Sequence, residues 1–298
     1  MTAQLVLANG MFRSGSTFFF DAMRQCPDNV CFYEPFHPKM NLLIDREHHA
    51  SLGHSLTDSP WLEHIDSRGL DDYYNYPASL PDYIVQNMGY YHPLDLSDSV
   101  RRYFESLPLL ACHLRKNVFA CFNRAAFVLP RALPLIVGVP AIVAYTKRPS
   151  IQIAISFLRL YSATRSFNLF SREFRDPWGV SLLFQHHYTQ YSGLYRSRAI
   201  PPSFFSFLAK ICYVNAVIDH QMVRIAEFIF DISCSVDEYV LACQLLLGRL
   251  GADSHVRAIS DYVNRVYRRD CFPGKIRHAY FERYDMELLE SIGFAEFQ

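Results

Sequence analysis

Residues 4–17 read Q-L-V-L-A-N-G-M-F-R-S-G-S-T, and this stretch decides the fold. Its first half is a short apolar run that ends in Asn9-Gly10, a pattern typical of a buried strand followed by a turn. Residues 16–24, S-T-F-F-F-D-A-M-R, then favour a helix. The stretch therefore predicts a strand, a tight turn and a helix in immediate succession.

The turn nearly matches the phosphate-binding pattern G-x-x-x-x-G-K-[ST], because Gly10, Gly15 and Thr17 have the required spacing. Ser16 occupies the lysine position, and the nearby cation is Arg13. Backbone N–H groups at such a turn and the helix N-terminus after it favour an anion. The missing lysine would reach the β- and γ-phosphates of a triphosphate, so its absence favours a 5′-phosphoryl end without triphosphate or metal. The alternative is an ordinary strand–turn–helix corner whose Ser and Thr side chains cap the helix.

The rest of the chain alternates between strand and helix patterns. Residues 30–33 and 141–146 predict buried strands, ended by Glu34-Pro35 and followed by Arg148-Pro149, respectively. Pro149 suits the first position of a helix that runs to about residue 161. Further predicted elements are a possible strand at 109–113, a helix at 201–226, a strand at 228–232 and helices at 236–250 and 276–292.

This alternation predicts an α/β fold, a three-layer P-loop-type domain with a central parallel sheet and helices on both faces. The length of 298 residues suits one domain spanning residues 1–298. Residues 41–108 are rich in tyrosine and turn formers and predict an irregular cap or insertion.

Composition excludes several classes of protein. Half of the residues are hydrophobic, as in a globular protein, and the 29 basic and 29 acidic residues balance, which argues against a nucleic-acid partner. The eight cysteines include no C-x-x-C pair and no Cys/His cluster with zinc spacing, so no metal site is predicted. No secretory signal is recognised at the start, which favours reduced thiols in a cytoplasmic protein.

The longest apolar region, residues 125–145, is a poor bilayer span. Arg131 and three prolines, Pro130, Pro134 and Pro140, interrupt it. A buried core segment is the favoured interpretation, and peripheral contact with a membrane surface stays open.

The run G-M-F-R-S-G-S-T-F-F-F-D-A-M-R-Q-C-P-D-N-V-C-F-Y-E-P-F-H-P resembles the start of a sulfotransferase. It is most similar to carbohydrate sulfotransferases, which pair an R-S-G-S-[ST] loop with a downstream F-x-E-P element. The resemblance implies 3′-phosphoadenosine 5′-phosphosulfate (PAPS) as co-substrate and no metal. It also implies that Arg13 contacts the bridging region of the phosphosulfate. The residues implied to cradle the 5′-phosphate are Ser14, Gly15, Ser16 and Thr17.

The 3′-phosphate of PAPS needs a second binding site, which the family builds from an arginine at a strand end and a serine eight residues later. Residues 144–157, A-Y-T-K-R-P-S-I-Q-I-A-I-S-F, place Arg148 and Ser156 at this spacing. The planar guanidinium of arginine can donate two hydrogen bonds to phosphate. The alternatives are a surface arginine and a small residue in helix packing.

Sulfuryl transfer to an alcohol needs a base for the acceptor proton and a cation for the leaving phosphate. Glu34 ends a strand beside the one that bears the loop, where α/β ligand sites form. In the similar carbohydrate enzymes the matching glutamate is the candidate base, so the resemblance favours Glu34. His37 is the reserve candidate and His113 a more distant one.

The resemblance implies a hydroxyl acceptor on a carbohydrate or glycolipid and, since no anchor is recognised, a bacterial cytoplasmic enzyme. Residues 268–277 form a basic segment that could close over the 3′-phosphate through Arg268, Arg269, Gly274 and Lys275, although a solvated surface is the favoured interpretation. Three alternatives stay open. They are a P-loop kinase that uses ATP and Mg²⁺, a sulfotransferase acting on a small aromatic or tyrosine acceptor, and a non-catalytic nucleotide-binding protein.

Overall fold

The computed structural model describes residues 3–11, 14–33, 35–36, 96–123, 125–162, 180–191, 201–267, 285 and 287–288. Several predicted features lie outside these residues, namely Arg13, Glu34, His37, most of the predicted cap and the basic segment 268–277.

A parallel β-sheet forms the centre of the described chain, as predicted. Its five strands are β1 (Leu5–Gly10), β2 (Asn29–Tyr33), β3 (Asn117–Phe122), β4 (Ala141–Lys147) and β5 (Phe228–Asp231), in the order β2-β3-β1-β4-β5. Every residue of β1, β2 and β3 is buried. Because successive side chains of a strand point to opposite faces, both faces of these three strands are shielded from solvent.

Helices connect and cover the strands. They are α1 (Ser16–Met23), α2 (Asp98–Leu114), α3 (Leu129–Ala132), α4 (Ser150–Ser162), α5 (Val180–Tyr191), α6 (Phe207–Ile225), α7 (Val236–Arg249) and α8 (Val256–Val266). Short 3₁₀ turns lie at Leu133–Leu135, Pro202–Phe204 and Asp253–His255. Among the described residues, no helix is both long and apolar enough to cross a membrane.

The predicted strand at 109–113 is wrong, because these residues belong to α2. Ser97 caps this helix by accepting a hydrogen bond from the Val100 N–H at 3.4 Å. The helix packs through side chains at helical spacing, Tyr103, Phe104, Leu107 and Leu110. Residues 98–108, the end of the segment predicted as a cap or insertion with helical pieces, are therefore regular helix.

Because residues 109–113 are helical, His113 does not lie at the end of a strand, as was expected. It lies exposed in the last turn of α2, just before β3 begins at Asn117. This is the amino-terminal edge of the parallel sheet, whereas ligand sites of such folds form at the carboxyl edge. His113 is therefore no longer a candidate base.

The strand before Glu34 was expected beside the loop-bearing strand, and this is wrong, because β3 lies between β2 and β1. Other differences are of extent. The helix predicted at 201–226 begins only at Phe207, because Pro202–Phe204 forms a 3₁₀ turn and the Ser206 side chain caps the helix through the Ala209 N–H. The sequence patterns did not predict β3, α3, α5 or α8. Of the predicted helix 276–292, the structure describes Asp285, Glu287 and Leu288, which are helical.

The strand order fixes where a ligand site can form. From β1 the chain runs towards β2 on one side of the sheet, and from β4 it runs towards β5 on the other side. Since β1 and β4 are neighbours, their connections diverge and leave a crevice outside the two carboxyl ends. The loop after Gly10 and the segment that begins at Arg148 both leave the sheet at this crevice.

Candidate functional site

The ends of β1 and β4 approach each other so closely that no side chain fits between them. Gly10 pairs in register with Thr146, and a Cβ on Gly10 would collide with the Thr146 hydroxyl and the Ser14 hydroxyl. It would also lie 2.8 Å from the Thr146 carbonyl oxygen. The glycine is therefore required for packing, and it lets the loop turn back directly over the end of β4.

The second glycine of the loop is required by its backbone conformation. Gly15 has φ 94° and ψ 12°, in the left-handed region, and is the N-cap of α1. A Cβ there would also lie 2.7 Å from Cδ1 of Ile232, which follows β5. The ends of three strands thus meet around the loop. Gly10 ends β1, Thr146 is the last residue but one of β4, and Ile232 follows β5.

The start of α1 presents backbone donors. No side chain caps this helix at Gly15, and its first regular bond runs from the Phe19 N–H to the Gly15 carbonyl at 3.0 Å. The N–H groups at the preceding helical positions, starting at Ser16, have no intrahelical acceptor. The loop's Ser and Thr side chains therefore do not cap this helix at Gly15, as the alternative required. Backbone N–H groups at a helix start favour an anion.

The hydroxyl groups of the loop make bonds to neighbouring strands. Ser14 Oγ lies 3.0 Å from Thr146 Oγ1, and Thr17 Oγ1 lies 2.7 Å from the hydroxyl of Tyr33. Ser14 and Ser16 are both buried. The serine and threonine side chains therefore hold the loop against β4 and β2. A hydroxyl that accepts one such bond can still donate another to a ligand.

Arg148 lies directly after β4, at the same edge of the sheet as the loop. Although it carries a charge, it is only 6 % exposed. Asn215 of α6 fixes its main chain, since Asn215 Nδ2 donates to the Arg148 carbonyl at 3.3 Å and to Ser150 Oγ at 2.7 Å. The turn from β4 into α4 is thus held from the side by a buried amide.

Ser156 lies on α4, as predicted, and is buried. It lies six residues after Ser150, about 9 Å along the helix axis. Ser156 therefore lies on the helix that follows Arg148. The loop residues lie on the other side of the crevice, on β1 and α1.

Further polar and charged side chains lie near the carboxyl ends of β1 and β4. Lys147 Nζ lies 3.6 Å from Asp219 Oδ1. Burial, the charge of Asp219 and a hydrogen bond to Asp219 hold the pKa of Tyr145 far above its usual range, so this phenol stays neutral. Asn9, 1 % exposed, accepts from the Ala125 N–H at 3.0 Å, and its Nδ2 has no hydrogen-bond partner within the described part of the chain.

Sequence reasoning missed several residues that shape this site. Thr146 closes the apolar run of β4, and a polar residue at a strand end was a usable signal. Asn215 and Ile232 gave no signal, because a mid-helix asparagine and a turn isoleucine become informative only when their tertiary neighbours are known. Arg13, Glu34 and His37 lie outside the described residues, so their predicted roles stay predictions.

No protein-family model, no curated protein and no solved structure matches this chain. The assignment of function therefore depends on the residues and geometry of the site.

Gly10→Ala is expected to lower the free energy of unfolding by about 2 kcal/mol, because the new methyl group must separate β1 from β4. Gly248→Ala is the matched control, since its Cβ would meet only Asp253 Oδ1, at 3.3 Å, inside a helix where alanine is favoured. Urea unfolding of both variants measures the difference. Wild-type stability of Gly10→Ala would contradict the close approach of the two strand ends.

Asn215→Ala is expected to destabilise the protein by about 1–3 kcal/mol, because it leaves Ser150 and the Arg148 carbonyl without their buried donor. A double-mutant cycle with Ser150→Ala should give a coupling of about 1 kcal/mol. Val223→Ala, on an exposed position of the same helix, is the control and should change little. Strict additivity of the Asn215 and Ser150 variants would show that the hydrogen bond does not stabilise this turn.

Proposed function

We propose that this protein is a PAPS-dependent sulfotransferase that transfers a sulfuryl group to a hydroxyl of a carbohydrate or glycolipid. One observation carries the proposal. The close approach at Gly10 and the Ser14–Thr146 hydrogen bond bring the loop at the start of α1 and the segment at Arg148 to the same crevice. A nucleotide with phosphates at both its 5′ and 3′ positions needs two such anion sites side by side.

The loop would bind the 5′ end of the nucleotide. Its support is the uncapped helix start after Gly15, which offers backbone N–H groups and the positive end of the helix dipole. The hydroxyls of Ser14, Ser16 and Thr17 would add donors, and Arg13 would lie by the bridging oxygen of the phosphosulfate. Asn9 adds a buried amide donor at the end of the same strand.

The β4–α4 segment would bind the 3′-phosphate through Arg148 and Ser156. Support comes from the burial of Arg148 at the carboxyl edge and from Asn215, which fixes the main chain of that arginine. A buried guanidinium binds a phosphate more strongly than an exposed one, because water screens the pair less. A generic P-loop kinase has no need of this second site.

In the proposed reaction Glu34 accepts the proton of the acceptor hydroxyl as its oxygen attacks sulfur in line. The bond from sulfur to the bridging oxygen breaks, and the electron pair leaves on the 5′-phosphate of adenosine 3′,5′-bisphosphate. Arg13 would stabilise the charge that develops on this leaving oxygen, and His37 is the reserve base. Positioning and electrostatics supply the catalysis, as in phosphoryl transfer.

We further propose that the fold is a three-layer P-loop-type domain. The connections that leave β1 and β4 run in opposite directions across the sheet, and right-handed crossovers place such connections on opposite faces. Complete burial of β1, β2 and β3 fits helices on both faces.

Calorimetric titration with adenosine 3′,5′-bisphosphate in metal-free buffer tests the proposal. We expect it to bind more tightly than ADP, and ATP with Mg²⁺ to bind weakly. Tight binding of ATP only in the presence of Mg²⁺ would overturn the proposal in favour of a kinase. Bisphosphate binding without turnover on any hydroxyl acceptor would instead favour a non-catalytic nucleotide-binding protein.

A further inference from the structure

Three potential metal ligands converge at the amino-terminal edge of the sheet, opposite the proposed nucleotide site. Cys26 and Asp28 lie in the turn between α1 and β2, which begins at Asn29. His255 ends the 3₁₀ turn between α7 and α8. Gln4 Nε2 bonds the Arg249 carbonyl at 3.1 Å, which places the end of α7 at this edge.

The ligand atoms are close enough to share one ion. Cys26 Sγ, an Asp28 carboxylate oxygen and a His255 ring nitrogen all lie within 4.8 Å of one another. His255 Nε2 lies 2.9 Å from Asp28 Oδ2. In a tetrahedral zinc site, neighbouring ligand atoms are about 3.3–3.7 Å apart. Binding therefore requires these separations to change by about 1.5 Å or less, with the histidine–aspartate bond replaced by two bonds to the ion.

The turn that carries two of the ligands is already rigid. The Asn29 N–H donates to the Cys26 carbonyl at 3.1 Å, and the Asn117 N–H donates to the Asp28 carbonyl at 3.0 Å. Lys116 Nζ donates to the Pro27 carbonyl at 2.9 Å. Little chain entropy would be lost on binding, because the backbone between Cys26 and Asp28 is held in place before an ion arrives.

The environment combines a buried thiol with two accessible partners. Cys26 is 1 % exposed, whereas the side chains of His255 and Asp28 are 24 % and 45 % exposed. An ion can enter from the solvent side, where a water can complete the coordination.

We propose that Cys26, Asp28 and His255 bind a zinc-like divalent cation that ties the start of α8 to the start of β2. Sulfur, imidazole and carboxylate together suit Zn²⁺ and its spectroscopic substitute Co²⁺, whereas Mg²⁺ requires oxygen ligands. The ligands come from chain positions 227 residues apart, so the ion would join two distant segments. This site lies at the opposite edge from the nucleotide site, and the proposal does not depend on the proposed function.

Titration of the reduced, metal-free protein with Co²⁺ tests the proposal. We expect visible bands of a tetrahedral ion and a near-ultraviolet thiolate-to-cobalt band that saturates at one ion per chain and disappears on adding Zn²⁺. Cys26→Ala should abolish the thiolate band. Cys112→Ala, at an exposed cysteine on α2, is the matched control and should keep it. Absence of the band from the wild type, or its persistence in Cys26→Ala, overturns the proposal.

Thermal unfolding provides a readout that needs no thiolate. We expect Zn²⁺ to raise the Tm of the wild type and Mg²⁺ to leave it unchanged. His255→Gln removes a partly exposed ligand without opening the core, so this variant should fold and lose the Zn²⁺ shift. An equal Zn²⁺ shift in His255→Gln and wild type would show that the ion binds elsewhere. No shift in the wild type would overturn the proposal and leave a histidine–aspartate hydrogen bond beside a thiol.

Discussion

Arg148→Ala is expected to weaken the binding of adenosine 3′,5′-bisphosphate about 100-fold, which corresponds to about 2.7 kcal/mol. The loss follows from the removal of a buried guanidinium that would donate charge-assisted hydrogen bonds to the 3′-phosphate. Calorimetry with the bisphosphate and with adenosine 5′-monophosphate measures the contribution of that phosphate directly. The monophosphate should bind the wild type and the variant equally.

The comparison of two nucleotides also controls for damage to the fold, because a distorted crevice would weaken both. Arg249→Ala removes the same charge from an exposed position at the opposite edge and should change neither affinity. If Arg148→Ala retains the full preference for the bisphosphate, the second anion site lies elsewhere. The argument from two adjacent sites would then fail.

Glu34→Gln is expected to reduce sulfuryl transfer by about 100-fold to 10,000-fold while bisphosphate affinity stays unchanged. The amide keeps the size of the side chain but cannot accept the acceptor's proton in the transition state. Release of adenosine 3′,5′-bisphosphate from PAPS, followed over a panel of carbohydrate and glycolipid acceptors, measures the rate. Calorimetry on the same preparation measures the affinity.

His37→Gln is the matched variant for this experiment, because it tests the reserve base three residues later. We expect it to keep most of the activity. A large loss of rate in His37→Gln with a near-normal rate in Glu34→Gln would transfer the role of base to the histidine. Near-normal rates in both variants would contradict a base in this segment of the chain.

The two predictions separate binding from chemistry. Arg148→Ala should lose affinity for the bisphosphate, whereas Glu34→Gln should lose turnover at unchanged affinity. A protein that only binds nucleotides would show the first effect and have no turnover to lose. A kinase would show neither effect with these ligands.

Local patterns in the sequence predicted much of the sheet and, of the candidate site, the glycine-containing loop after β1. The apolar runs of β1 and β4, and the glycines at 10 and 15, are visible because strand burial and turn geometry impose requirements on neighbouring residues. The helix after Pro149 was equally readable. The possible strand at 109–113 failed because a short apolar stretch has no periodicity of its own, and the packing of the longer run 98–114 made it a helix.

The sequence by itself determined that a glycine-containing turn and a helix follow the first strand, because this depends on residues adjacent in the chain. Only the tertiary structure decided which distant groups meet it. The Ser14–Thr146 bond, the contact of Gly15 with Ile232 and the support of Arg148 by Asn215 each join segments that are remote in sequence. The cluster of Cys26, Asp28 and His255 is likewise invisible to sequence spacing. The strand order brings such groups together, and it is set by packing of the whole chain.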